Sequence, residues 1–207
     1  MYGGQCTAEF FESCLALKTE MTRNGVDNEW LITTNESLIP RARNTSVARF
    51  LFDPELSRHD RFMFIDADIE FKPEDVAKLW NLDVDVAVAA YTMKREEAGV
   101  TAWKNGKLVD LDDFDGPTDI DFAGTGFMMI KRHVFERLAD AHPEWEHEEG
   151  KVGKCFTFFN TSVVDDGAGP YYISEDYWFC RYWRQAGGKI ILDPSIRLGH
   201  VGRKVYR

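Results

Sequence analysis

The order of patterns along the chain predicts an α/β fold, with a central, mostly parallel mixed sheet flanked by helices. Three observations lead to it. Apolar runs of strand length recur at residues 61–71, 83–91 and 189–192. Segments with helical apolar spacing stand between and around them. Gly, Asn or Pro marks most of the joins, where a chain that changes direction needs such residues.

Near the start, Gly3-Gly4 leads straight into a helical pattern. A paired-glycine turn of that kind usually follows a strand, so the chain is expected to begin just after one. Phe10, Phe11, Cys14, Leu15, Leu17 and Met21 keep helical spacing over residues 7–23, and Asn24-Gly25 supplies the left-handed stop. Residues 29–34 read as a short strand and 35–52 as a helix carrying Arg41, Arg43, Asn44 and Arg49. Pro73 opens a helix over 73–80, and 83–91 is a second buried strand. Residues 94–118 lose periodicity and read as loop, with a hairpin at Asn105-Gly106. A strand over 119–129 is broken by Gly124-Thr125-Gly126, which marks a bulge or a close approach to the backbone. A helix over 133–141 follows, then a polar surface stretch over 142–150. Ser174 is placed to cap a helix that begins Glu175-Asp176 and stops at Gly187-Gly188. The strand 189–192 and a Gly-flanked tail, 198–204, complete the series.

Length and composition set the outer bounds. A chain of 207 residues, 44% apolar and 14% aromatic, is expected to form one domain, residues 1–207, with a large core. Its net charge of −10 argues against a nucleic-acid partner, because phosphate neutralisation needs clustered Lys and Arg. Cys6, Cys14, Cys155 and Cys180 form no C-x-x-C pair and read as buried, reduced thiols of a cytoplasmic protein. No apolar run approaches the length of a transmembrane segment, so a soluble protein is expected.

The chemistry gathers where the apolar run FMFI ends in Asp66-Ala67-Asp68. In open α/β sheets, ligands collect beyond the carboxyl ends of strands, so these acids are expected to face a crevice. Two carboxylates one residue apart repel each other unless a cation lies between them, and hard oxygen ligands suit Mg²⁺ or Mn²⁺. The alternative is a pair of acids that end a strand or cap the next helix. The Asp-x-Asp spacing is not rare here, since five such triplets occur, beginning at Asp66, Asp83, Asp110, Asp113 and Asp119. Those at Asp83, Asp110 and Asp113 read as solvated loops or strand entrances. The triplet at Asp66 closes a full apolar strand. Arg43 has two readings, a bidentate partner for phosphate or a surface residue covering its helix flank.

FMFIDADIEF, FAGTGFMMIKRHVF, SEDYWFC and LGHVGRK, in that order, resemble the GT-A fold glycosyltransferases. These enzymes move a sugar from a nucleotide diphosphate donor to an acceptor hydroxyl. The resemblance runs from Tyr2 to Lys204 and is nearest to the small single-domain enzymes of viruses and phages. It implies a Rossmann-like fold, with residues 1–92 on the nucleotide and metal side and 93–207 on the sugar and acceptor side. It further implies Mn²⁺ or Mg²⁺ held by Asp66, Asp68 and His200. Tyr2 and Gly3 would border the base, and Arg43, Ala67 and Lys204 would line the donor, with Lys204 facing the diphosphate. Gly124 and Gly126 would leave room for the donor sugar. Glu175 and Asp176 match the catalytic acids: in inverting members the aspartate is the base that takes the acceptor proton, and in retaining members that position supports the sugar or the developing cation. The implied partners are a UDP-sugar and a glycan or glycoprotein acceptor. Two rivals stand beside this: a metal-dependent phosphohydrolase, which would need further carboxylates near the first pair, and a non-catalytic sugar-binding module whose aromatic residues around Tyr171, Tyr172, Tyr177, Trp178 and Trp183 stack on sugars or pack the core.

Overall fold

The computed structural model describes residues 4–94, 99–150, 152–167, 169–202 and 204–207. Helices α1 (Ala8–Arg23), α2 (Ile39–Phe52), α3 (Pro73–Asn81), α4 (Arg132–Ala141) and α5 (Glu175–Gln185) surround a five-stranded sheet. Across that sheet the strands run Arg61–Ile65, Phe127–Lys131, Val86–Val88, Ile190–Leu192 and Thr118–Ile120. The α/β expectation holds. The expectation of mostly parallel strands does not, because one of the four pairings is parallel, Val86–Val88 with Ile190–Leu192, and the other three are antiparallel. The run that ends in Asp66 lies at one edge of the sheet, antiparallel to Phe127–Lys131, with Ile65 opposite Phe127.

Side-chain alternation divides the core into two layers. Val86, Val88, Met128 and Ile130 face α2, α4 and α5, where they meet Val47, Phe50, Phe135, Phe179 and Trp183. Ala87, Phe127 and Met129 point the other way and pack with Leu17 of α1 and with Val76 and Leu79 of α3. Trp183 is fully buried and donates its Nε1–H to the Lys189 carbonyl at 3.0 Å. Its ring lies so close to Gly188 that a Cβ there would overlap it.

Several local expectations shift. Residues 29–34 join no strand ladder, and Trp30 and Ile32 are left exposed. A strand pattern becomes a strand only where a neighbour accepts its hydrogen bonds. Ser174 occupies the cap position of α5, but its side chain makes no capping hydrogen bond. The turn at Asn105-Gly106 does form a hairpin, between Ala102–Lys104 and Lys107–Leu108, with both turn residues at positive φ. Two hairpins carry no signal in the sequence reading: Glu146–Glu149 with Gly153–Phe156, and Ser162–Asp165 with Pro170–Ile173. The second presents Tyr171 and Tyr172 outward, so those rings are not core. Cys155 and Cys180 are buried thiols as expected, whereas Cys6 is exposed. Among the described residues no helix is long and apolar enough to cross a membrane.

Candidate functional site

The acidic turn is held from three directions. Asp66 donates its N–H to the Gly126 carbonyl at 2.9 Å, which continues the ladder between the two strands. The Ala67 carbonyl accepts the N–H of Thr7 at 3.0 Å, and the Thr7 hydroxyl in turn accepts the Phe10 N–H, capping α1. The Asp68 carbonyl accepts the N–H of Val201 at 2.8 Å. Beyond the turn, Ile69–Glu70 pairs with Gly199–Val201, and that strand pairs with Val205–Tyr206. This small sheet brings His200 to the Asp-x-Asp turn.

The His200 Nδ1–H donates to the Thr92 carbonyl at 2.8 Å, so in the neutral ring the lone pair is on Nε2. Nε2 points at Asp68 Oδ1 from 3.8 Å, too far for a hydrogen bond. The His200 ring also stands edge-on to Tyr91, with centroids 4.9 Å apart. Asp68 Oδ2 accepts from the Lys94 ammonium. Partial burial works against the Asp68 carboxylate, but the His200 ring when it carries a proton on Nε2, together with the Lys94 ammonium, outweighs it and holds its pKa down at about 2.

Arg43 joins the two acidic pairs. Its guanidinium approaches Asp66 Oδ1 at 3.5 Å, Glu175 Oε1 at 3.7 Å and Asp176 Oδ1 at 3.8 Å. The side chain is only 9% exposed, and Phe64 lies beneath it, its ring centroid 5.3 Å away. Nε is fully covered and makes no hydrogen bond of its own. Burial opposes the Arg43 charge, and Asp66, Asp176, Tyr91 and Glu175 together hold its pKa above the usual arginine range. The reading of Arg43 as a surface residue is therefore overturned. Its neighbour Asn44 is structural: it accepts the Phe159 N–H and donates to the Phe159 carbonyl, both at 2.9 Å.

Asp176 lies in the first turn of α5 and accepts a hydrogen bond from the Thr125 hydroxyl at 3.0 Å. Its pKa is pushed up to about 7, first by burial and then by Glu175 and Asp66, with Arg43 pulling the other way. Thr125 is the middle of the glycine-broken strand, so that break carries the group that touches the candidate base. The two glycines serve a close approach by the protein itself. A Cβ at Gly126 would stand 2.5 Å from the Tyr91 hydroxyl and 2.9 Å from Asp66 Oδ2, and one at Gly124 would stand 2.7 Å from the same hydroxyl. The Gly126 N–H donates to that hydroxyl at 3.2 Å. Burial, and then the charges of Asp66 and Asp176, raise the Tyr91 pKa well above the usual tyrosine value, so it remains a phenol.

Asp66, Asp68, Arg43, Gly124, Gly126, Glu175, Asp176 and His200 are thus brought together, and Ala67 lies on the turn between the aspartates. Lys204 sits in the tight turn before Val205–Tyr206, with its ammonium 5.2 Å from the Tyr206 ring centroid. Tyr2 and Gly3 lie outside the described residues. Tyr91, Thr92, Lys94 and Thr125 were not singled out from sequence. Tyr91 at the carboxyl end of a buried strand carried the one available signal. Of the other triplets, Asp83 pairs with Arg61 and Lys131, and Asp110 accepts the Asp112 N–H, both structural duties.

As the side chains stand, no three His, Cys, Asp or Glu groups among the described residues are gathered as a metal cage. The donor set nonetheless fits a hard divalent cation: Asp68 already holds a positive group, and the His200 lone pair is aimed at the same carboxylate. A separate cavity of about 460 Å³ is lined by Thr92, Val100, Leu108 and Arg197 among others, and among the described residues it shares Thr92 with the site.

The crystal structure of A197 from STIV superposes with a TM-score of 0.55 at 17% sequence identity, covering 93% of this chain and 86% of that one. At that identity the likeness speaks to fold alone. No protein-family model matches the sequence, and the search of curated proteins found no match.

Proposed function

We propose that the chain is a metal-dependent glycosyltransferase of the GT-A type, moving a sugar from a nucleotide diphosphate donor, in particular a UDP-sugar, to a hydroxyl of a glycan or glycoprotein. The observation that carries this reading is the convergence on Arg43 of Asp66, Glu175 and Asp176, from two acidic pairs distant in sequence, with His200 directed at Asp68, the second member of the first pair. One pair suits a cation and the other suits an acceptor proton. Asp66, Asp68 and His200 would hold Mn²⁺ or Mg²⁺, which when bound neutralises charge growing on the leaving diphosphate.

The protein's own groups do the rest. Asp176, with a pKa near 7, is suited to take the proton of the acceptor hydroxyl at neutral pH. The Thr125 hydroxyl fixes its carboxylate. Arg43 is committed to three carboxylates and buried, which favours a part in placing Asp66 and Asp176 over direct contact with phosphate. Lys204 and Ala67 remain the donor-side residues of this reading, with Tyr2 and Gly3 at the base, whereas Gly124 and Gly126 act through the Tyr91 ring that they admit.

The test is UDP release from a panel of UDP-sugars with Mn²⁺ and with EDTA, together with UDP calorimetry under both conditions. UDP affinity undiminished by EDTA would remove the metal from the reading. A second reading is favoured by the same four carboxylates, since a metal-dependent phosphohydrolase needs them too. Arg43 stands between the pairs, where a second metal of such an enzyme would compete with it. Release of inorganic phosphate instead of UDP would decide for the hydrolase. Binding without turnover would decide for a sugar-binding module.

A further inference from the structure

Lys94 follows Tyr91 by three residues, and its ammonium lies on Asp68 Oδ2, one of the oxygens assigned above to a divalent cation. The other oxygen, Oδ1, faces His200 Nε2 across 3.8 Å. The lysine stem reaches the carboxylate by passing over Gly202, where a Cβ would stand 3.2 Å from Lys94 Cδ. The pair is accessible to ions from solvent, with Lys94 32% and Asp68 36% exposed. An ammonium and a divalent cation on one carboxylate would repel each other at contact distance.

We infer that Lys94 is a tethered competitor for the divalent cation at Asp68. In the metal-free protein its ammonium neutralises the Asp68 carboxylate and limits its repulsion with Asp66, Glu175 and Asp176, the three carboxylates that Arg43 contacts. The metal binds only as that ammonium leaves, so observed cation affinity is the difference between the two interactions. The site trades tight metal binding for stability of its metal-free form. The inference rests on the metal-dependent reading and names a residue that nothing in the family resemblance assigns.

The test uses the full chain and Mn²⁺ alone, without donor, read by calorimetry, with thermal midpoints measured in EDTA. Lys94→Met is expected to bind Mn²⁺ about fivefold more tightly than wild type, the scale of a partly exposed ion pair, and to melt lower in EDTA. Lys94→Arg keeps a cation on the tether and should stay near wild type. Lys154→Met makes the same change in net charge at a lysine paired with Glu146 and should leave Mn²⁺ affinity within about twofold. Lys94→Met binding Mn²⁺ no more tightly than Lys154→Met overturns the competition and leaves the metal reading intact. Absence of Mn²⁺ binding in both wild type and Lys94→Met overturns both. Tightened Mn²⁺ binding in a protein that turns over no donor supports the competition and rejects only the transferase.

Discussion

Asp176 carries the sharpest test at the scale of one residue. As a first-turn acid it would also complement the dipole of α5, worth about 0.3–1 kcal/mol. If that were its whole duty, Asp176→Asn would lose that stability and keep its rate. As the base it should lose about 10²-fold or more in kcat with UDP affinity preserved. Gly126→Ala tests the close approach by Tyr91. The methyl would stand 2.5 Å from the Tyr91 hydroxyl, and displacing that ring should cost about 1–3 kcal/mol of stability. Because the same ring packs on His200, Mn²⁺ affinity should fall as well, read by titration. Asp66, Asp68, Asp176 and His200 could be picked out as candidates from sequence because each sits at a strand end, a helix start or, for His200, in a short Gly-flanked segment. Lys94 could not: a lysine beside an aperiodic loop has no pattern, and only the folded chain shows what it touches. Tyr91 is core as well as site, and its place at the end of an apolar run signals the first duty more strongly than the second.

At the scale of elements, α2 both delivers Arg43 and anchors the strand-poor segment around Phe159. Asn44→Ala would remove both hydrogen bonds to Phe159 and leave its buried N–H and carbonyl unpaired, at about 2–4 kcal/mol. Thermal or urea unfolding checks this, and Mn²⁺ affinity should hold, since Asn44 touches none of the proposed ligands. Helices α1 to α5 were legible to within a few residues, because apolar spacing, Pro73 and the Gly stops are local signals. Strand direction was not. The alternation of helices and strands suggested parallel crossovers, but the strand Phe127–Lys131 enters between Arg61–Ile65 and Val86–Val88 and runs against both. Direction is set by how the connections cross the sheet, and the aperiodic stretch over residues 94–118 gave no sign of its path.

For the whole molecule, pH dependence of stability follows from two carboxyls shifted in opposite senses. Asp176 has a folded pKa of about 7 against an ordinary 3.8, so the fold holds its proton more tightly than the unfolded chain does. Its contribution is full below 3.8 and is lost as pH rises toward 7. Asp68 has the opposite sign: with a folded pKa of about 2, it stabilises above 3.8 and that contribution is lost as pH falls. A net charge of −10 adds self-repulsion on the alkaline side. The thermal midpoint should therefore be higher at about pH 5 than at about pH 8, and Asp176→Asn should narrow the difference. An unchanged difference in the variant would assign the alkaline loss to net charge alone.

The Asp-x-Asp turn is fastened by backbone hydrogen bonds with Thr7, Gly126 and Val201, which are far apart along the chain. Each closes a long loop, and long loops close late because their entropy must be overcome before the contact helps. The turn should accordingly be among the last parts to acquire native form during refolding. Competence for Mn²⁺ should appear after the sheet has recovered its circular dichroism. On a ribosome the strand at 61–65 could pair once residues 127–131 had emerged, but its acids would stay unorganised until the segment bearing His200 had followed.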